Sequence, residues 1–216
     1  MAKGWVQAVS LVGIFGFTVL GYMAARTYQA APPIPDRVVS ASGEELFSGE
    51  DVRSGQEVFL RNGLMQYGSI FGHGAYLGPD FTADYLHRAA LDVEEAYGGE
   101  GTDARRLTVE AFRTNTYDAA TGTLVYSDAQ ADACGRLVGH YSDFFADPAG
   151  DTGLRPAAIA DPEDTRQLTA YFSWSAWVAA AERPGKDYSY TNNWPPEELV
   201  ANGPTADVRA SVRRPS

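Results

Sequence analysis

An uncharged apolar run begins near the amino terminus. Gly4 to Ala25 contains no charged residue, and Lys3 and Arg26 flank it. As an α-helix rising about 1.5 Å per residue, the run is about 30 Å long, which is the thickness of a bilayer core. We therefore predict a transmembrane anchor over residues 1–29.

A cleaved signal peptide is the alternative interpretation of this run. Its apolar region is normally only about 7 to 15 residues long and is followed by a small-x-small cleavage site. Residues 24–31 (AARTYQAA) offer no clean version of that site, so an uncleaved anchor is favoured. The flanking basic residues do not decide the orientation. Because the acidic bulk of the chain is easily exported, we expect the amino terminus inside and the domain outside the cytoplasm.

The pattern changes to amphipathic segments after a proline-rich linker at residues 30–37 (AAPPIPDR). Apolar residues recur at helical spacing over the domain that we predict for residues 38–203. Ser127 to Gln130 form a capping-box pattern, and Asp161 precedes a proline at a helix start. The predicted helices are Asp51–Arg61, a helix capped by Thr82 and running to Tyr97, Thr102–Arg113, Ser127–Tyr141, and a helix from Asp161 that Arg183-Pro184-Gly185 closes.

One strand pair interrupts the helices. Thr116–Ser127 contains a Thr-Gly turn between β-prone residues and predicts a small hairpin. The helix from Asp161 carries aromatic residues nearly all round, which favours a central packing helix over one that touches lipid or a partner. The predicted fold is mainly α, with one transmembrane helix followed by an α-helical domain that contains a small hairpin.

The charge of the chain excludes one class of partner. The formal net charge is −11, whereas nucleic-acid binding requires a basic face. The acidic residues are spread along the chain, as is typical of a solvated surface. Cys134 is the only cysteine, which excludes an internal disulfide and a cysteine-only metal site. We expect a small buried residue there rather than a reactive thiol.

The sequence contains no recognisable active-site motif. His73, His87 and His140 are the only imidazoles, and their separations fit no compact metal motif, although a site assembled by folding stays open. We expect His73 in a loop, bonded to backbone, and His87 at the surface. We predict no catalytic, cofactor-binding or metal-binding residue in this chain.

Arg61–Phe81 resembles the haem-attachment segment of a cytochrome c without its haem chemistry. A c-type haem needs two cysteines two residues apart, followed by a histidine. Leu64, Tyr67 and Gly68 stand at those three positions. A second axial ligand from a late methionine is missing too, since the three methionines all lie in the first 65 residues. The sequence therefore predicts a haem-free domain.

Several segments, taken in order, resemble bacterial nitric oxide reductases. GQEVF, Arg61-Asn62 and GHGAYLGP are similar to the small cytochrome c subunit of the two-subunit enzymes. Together with TAYFSWSAWVAA and RPGKDYSYTNNWPPE, they are more similar to the N-terminal region of the quinol-dependent, single-chain enzymes. In those enzymes a haem-free, cytochrome c-like domain precedes the catalytic helices. The resemblance covers residues 5–205.

The resemblance implies a non-catalytic part of an enzyme of denitrification. The intact enzyme reduces two NO to N₂O at a haem–non-haem iron pair, with electrons from quinol. Haem b and non-haem iron are expected only in its catalytic helical bundle, whose extracytoplasmic face the domain caps. The implied partners are the membrane and that bundle, in cis or as a separate subunit. The implied location is the inner membrane, single-pass, with the domain facing the periplasm.

The end of the chain departs from this family pattern. Residues 204–216 finish as VRASVRRPS, which is basic and polar where a further membrane helix is expected. We expect a truncated or frameshifted product that is inactive alone. Two alternatives stay open: a stand-alone anchored assembly module for a separately encoded catalytic subunit, and an electron carrier with unusual haem ligands.

Overall fold

Two units make up the part of the chain that the computed structural model describes, residues 2–148 and 152–203. The first unit ends at Pro33 and the second begins at Ile34. The predicted tail at 204–216 lies outside the described residues.

The first unit is one long apolar helix, α1 (Ala2–Gln29). Lys3–Gln29 has a mean hydropathy of 1.9, and this stretch is a candidate membrane span by length and composition. Its two threonine hydroxyls donate within the helix, Thr18 Oγ1 to the Ile14 carbonyl at 2.8 Å and Thr27 Oγ1 to the Met23 carbonyl at 2.9 Å. Polar groups satisfied inside the helix are what a lipid surrounding requires.

The second unit is built mainly from helices, as predicted. A short 3-10 turn at Leu64–Gln66 follows the first helix of this unit. The helices that the structure describes here are α2 (Gly49–Arg61), α3 (Phe81–Ala96), α4 (Thr102–Arg113), α5 (Asp128–Ala146) and α6 (Pro162–Ala180).

Local capping explains where most of these helices begin. The predicted capping box of Ser127 and Gln130 opens α5, and Asp161 caps α6 by accepting from the Glu163 N–H at 2.9 Å. Helix α2 begins two residues earlier than predicted, because Ser48 and Asp51 form a second capping box. Each box satisfies backbone N–H groups that a helix start leaves without a partner.

The predicted cap of α3 is wrong. Asp80, and not Thr82, is the N-cap residue, and its carboxylate accepts from the Ala83 N–H at 2.9 Å. Thr82 lies buried inside the helix, where its Oγ1 accepts from the Phe71 N–H at 3.2 Å and donates to Ser175 Oγ at 3.1 Å. Both residues have cap-forming side chains, and the tertiary partners of Thr82 explain why it lies inside the helix.

Two small sheets accompany the helices. The predicted hairpin is confirmed, but it belongs to a four-stranded sheet of order β2–β1–β6–β5, in which β1 and β6 run parallel and the other neighbours antiparallel. The strands β3 and β4 form a separate antiparallel pair. The bounds are β1 (Arg37–Ser40), β2 (Glu45–Ser48), β3 (Ser69–Ile70), β4 (His73–Gly74), β5 (Tyr117–Asp118) and β6 (Thr123–Tyr126).

Helix α6 is the central packing helix, as predicted. Its residues Leu168, Phe172 and Val178 are fully buried. Helix α2 crosses it with the two backbones in contact at Gly55, where a Cβ would clash with the Gln167 carbonyl oxygen. A side chain at position 55 would therefore force these two helices apart.

We expect Gly55→Ala to lower the free energy of unfolding by about 1–3 kcal/mol or more, because the added methyl group overpacks the contact between α2 and α6. Gly135→Ala in α5 is the matched control. That position faces open space, so alanine there should be neutral or stabilise the domain by about 0.4–1 kcal/mol. Urea unfolding of both variants measures the difference, and equal effects would contradict the close crossing.

Candidate functional site

The segment at the haem-attachment position is a loop fixed by one carboxylate. Asp80, the N-cap of α3, also reaches back into the loop. Its Oδ2 accepts from the Gly72 N–H at 2.5 Å and from Ser69 Oγ at 2.8 Å, while Oδ1 caps the helix through the Ala83 N–H. The same side chain therefore ties the loop to the start of α3.

Backbone hydrogen bonds close the loop on itself. The Ala75 N–H donates to the Met65 carbonyl at 2.9 Å, and the Ser69 N–H donates to the Pro79 carbonyl at 3.1 Å. Phe71 has a left-handed backbone with a φ of 53°, a conformation that costs a side-chain-bearing residue about 1–2 kcal/mol. The backbone hydrogen bonds of the loop therefore hold its ends together.

Ordinary packing residues occupy the three positions that a c-type haem would need. Leu64 is buried in the core, and Tyr67 is half-buried. Gly68 leaves no room for a larger residue, since a Cβ there would lie 2.6 Å from the Pro79 carbonyl oxygen and 2.6 Å from Phe81 Cε2. The backbone and an aromatic ring close the space into which an axial histidine would extend.

Aromatic rings fill the interior behind Gly68. The Phe81 ring stacks on Phe172 with centroids 4.7 Å apart and an interplanar angle of 8°. Phe59 meets it edge-on at 5.9 Å. Further rings surround it from α5, namely Tyr141, Phe144 and Phe145. The interior next to the loop is therefore a packed aromatic cluster.

These residues do not fit a c-type haem. Met65 lies on the loop itself, and the only cysteine of the chain, Cys134, lies on α5. Cys134 is buried, as predicted, and burial raises the pKa of its thiol, which opposes formation of a reactive thiolate. The loop therefore has no cysteine with which a thioether bond could form.

The three histidines lie on three different elements. His73 is exposed on β4, where its residue pairs with Ile70 of β3. His87 is exposed on α3, as predicted, with Nδ1 3.1 Å from Glu197 Oε2. His140 on α5 has Nε2 3.8 Å from Asp84 Oδ2, and burial lowers its pKa. Within residues 2–148 and 152–203, no three histidine, cysteine or acidic residues group as metal ligands would.

Comparison with known families identifies the domain. The family model of the NorB cytochrome c-like domain of nitric oxide reductase matches residues 35–196. The chain belongs to this family. A search of curated proteins returned no match. The family match confirms the resemblance to the N-terminal region of nitric oxide reductases, and it covers the four-stranded sheet, the loop and helices α2–α6.

One face of this cytochrome c-like domain carries no charged residues. Residues 62–79 and 188–196 contain no aspartate, glutamate, lysine or arginine, in a chain that has 45 of them. The two segments meet where the Trp194 indole packs on Gly72, with Nε1 2.9 Å from the place of a Cβ. We call the surface of these two segments the uncharged face.

Large apolar and aromatic side chains are exposed on the uncharged face. The exposed fractions are 88% for Tyr76, 59% for Leu77, 53% for Trp194 and 43% for Met65. Aromatic residues and methionine are enriched, and charged residues depleted, at the centre of protein interfaces. This face was not predicted from the sequence. The sequence does contain the two uncharged segments, but only the fold shows that they are neighbours.

We expect Asp80→Ala to lower the free energy of unfolding by about 2–3 kcal/mol, because it removes a helix cap and two further bonds to a carboxylate. Amide hydrogen exchange of residues 69–74 should also accelerate. Asp161→Ala is the matched control, since it removes the cap of α6 alone. It should destabilise the domain without selectively accelerating exchange of residues 69–74, and equal exchange in the two variants would contradict the anchoring role of Asp80.

Proposed function

We propose that this chain is the non-catalytic, membrane-anchored, cytochrome c-like part of a quinol-dependent nitric oxide reductase. The family match over residues 35–196 carries the proposal. In the intact enzyme two NO are reduced to N₂O in a catalytic helical bundle, and this domain caps the extracytoplasmic face of that bundle. The chain alone supplies a surface and an anchor, and no catalytic group.

The amino-terminal helix supports anchoring in the inner membrane. Lys3–Gln29 is long and apolar enough to cross a bilayer. Its threonine hydroxyls are satisfied by its own carbonyl groups. With the amino terminus in the cytoplasm, a single pass carries the acidic domain to the periplasmic side, the orientation in which the domain meets the extracytoplasmic face of a bundle.

The uncharged face supports docking on a catalytic bundle. Acidic side chains are spread along the rest of the chain, and desolvating them at an interface is costly. The uncharged face avoids this cost and offers Tyr76 and Trp194, residue types that often supply most of the binding energy at an interface. A partner that exposes apolar and aromatic groups near the membrane surface matches it.

A domain without haem supports quinol as the electron donor. An electron path through the domain needs a redox group, and position 68 has no room for an axial histidine. Electrons then reach the catalytic irons from quinol in the membrane. Haem b and non-haem iron belong to the bundle, whether it continues from this chain or is a separate subunit.

A stand-alone assembly module is the second candidate function. The same uncharged face supports it, because docking does not depend on how the two parts are encoded. In that case the domain assembles with a separately encoded catalytic subunit.

The purified chain should show no Soret band. The reason is the closed space at Gly68 and the lack of cysteines on the loop. The measurement is an absorption spectrum of the full chain in detergent, after expression with a c-type haem maturation system. A c-type cytochrome expressed in parallel is the positive control. A stoichiometric Soret band would favour the electron-carrier alternative and contradict the proposal.

We expect the tagged full chain to retain a haem-b-containing catalytic bundle when it is isolated from native membranes. Tyr76→Asp with Leu77→Asp should lower the recovery at least tenfold, because a docked aspartate must lose its hydration; tenfold corresponds to about 1.4 kcal/mol. Leu91→Asp is the matched control, since Leu91 is exposed on α3, outside the uncharged face.

The recovery is measured from the haem absorption of the eluate and from the reductase-bundle peptides that are identified in it. Equal recovery with both aspartate variants would contradict docking through the uncharged face. An eluate without any haem-rich partner would contradict the proposed assembly.

A further inference from the structure

A small interior cavity lies where α3, α4, α5, α6 and β6 meet. Its volume is about 20 Å³. A single water molecule needs about 10–15 Å³ of such space. Three of its lining side chains are apolar and carry no hydrogen-bonding group, namely Ala89, Phe112 and Ala176.

Trp177 lines this cavity and has an unused hydrogen-bond donor. The residue is only 6% exposed. Its indole Nε1 is buried and has no hydrogen-bond partner among the described residues. A buried donor left unsatisfied is unfavourable, because it has lost its hydrogen bonds to solvent water. An interior site that supplies an acceptor would remove this cost.

Hydroxyl groups bring unused acceptor capacity to the same cavity. Tyr126 Oη and Ser173 Oγ lie 3.1 Å apart. The Tyr85 hydroxyl bonds to Ser173 and Cys134, and all three hydroxyl residues line the cavity. Each hydroxyl oxygen has two lone pairs and only one proton. This cluster therefore has more acceptor sites than protons, whereas the indole has a proton without an acceptor.

We propose that this cavity binds one water molecule, which accepts from the Trp177 indole and donates to the hydroxyl cluster of Tyr85, Tyr126 and Ser173. Water complements both sides, since it accepts from the donor and offers two protons to the acceptors. A buried water typically makes about three hydrogen bonds. Immobilising this water costs entropy, which the recovered hydrogen bonds offset.

The bound water would add the Trp177 indole to the hydrogen bonds that already join these parts of the fold. Trp177 and Ser173 belong to α6, Tyr85 to α3 and Tyr126 to β6. A water shared among them extends the direct hydrogen bond between Tyr126 of the four-stranded sheet and Ser173 of the central helix. The site is independent of the uncharged face, so its test does not depend on the proposed docking.

A crystal structure of the full chain, at a resolution that shows ordered water, tests the proposal directly. We expect one spherical density peak about 2.7–3.2 Å from Trp177 Nε1 and from at least one of the three hydroxyl oxygens. Trp177→Phe should remove or weaken this peak while the surrounding side chains keep their places. A cavity without density, or an indole that donates directly to a protein oxygen, would overturn the proposal.

A solution measurement guards against a variant that does not fold. In the ¹⁵N-labelled full chain, the Trp177 indole proton should show a cross-relaxation peak to water. The sign of this peak should be the one that a long-lived contact between protein and water produces. Trp194 is the internal control, because this residue is 53% exposed and surface water exchanges rapidly. The proposal would also be overturned if the Trp177 peak were absent. A Trp177 peak with the same sign as the Trp194 peak, the sign of contact with bulk water, would overturn it too.

Discussion

The Phe81 ring joins the loop, three helices and the core in one set of contacts. It lies against Gly68 of the loop, stacks on Phe172 of α6 and meets Phe59 of α2 edge-on. Rings from α5 complete its surroundings. Stacked and edge-on aromatic pairs contribute about 0.5–1.5 kcal/mol each beyond area burial. The position of this one ring determines how near the loop can approach the interior.

Elements specified by neighbouring residues were predictable from the sequence. The capping box of Ser127 and Gln130 places the start of α5, and Asp161 places the start of α6. Asp80 and Thr82 show the limit of such local signals. Both have side chains that can cap a helix. Asp80 is the N-cap because the Thr82 hydroxyl is hydrogen-bonded to the loop and to α6 instead. The parallel pairing of β1 with β6 was not predictable for the same reason, since it joins segments far apart in sequence.

The uncharged face was only partly predictable from the sequence. Two runs without charge stand out at residues 62–79 and 188–196. Their adjacency depends on Gly72, because only a residue without a side chain lets the Trp194 indole approach so closely. Trp177 was likewise predictable as a core residue of an aromatic helix. Its unsatisfied indole was not, because hydrogen-bond satisfaction depends on the placement of every neighbouring polar atom.

The residues at positions 64, 67 and 68 and the packing of the interior depend on each other. Cysteines at positions 64 and 67 and a histidine at position 68 would restore the attachment motif, but the histidine would still meet the Phe81 ring and the Pro79 carbonyl. Moving that ring would disrupt its contacts with α2, α5 and α6. The interior next to the loop is therefore held together by contacts among aromatic rings. On the surface, the uncharged face is the feature that solvation alone does not explain.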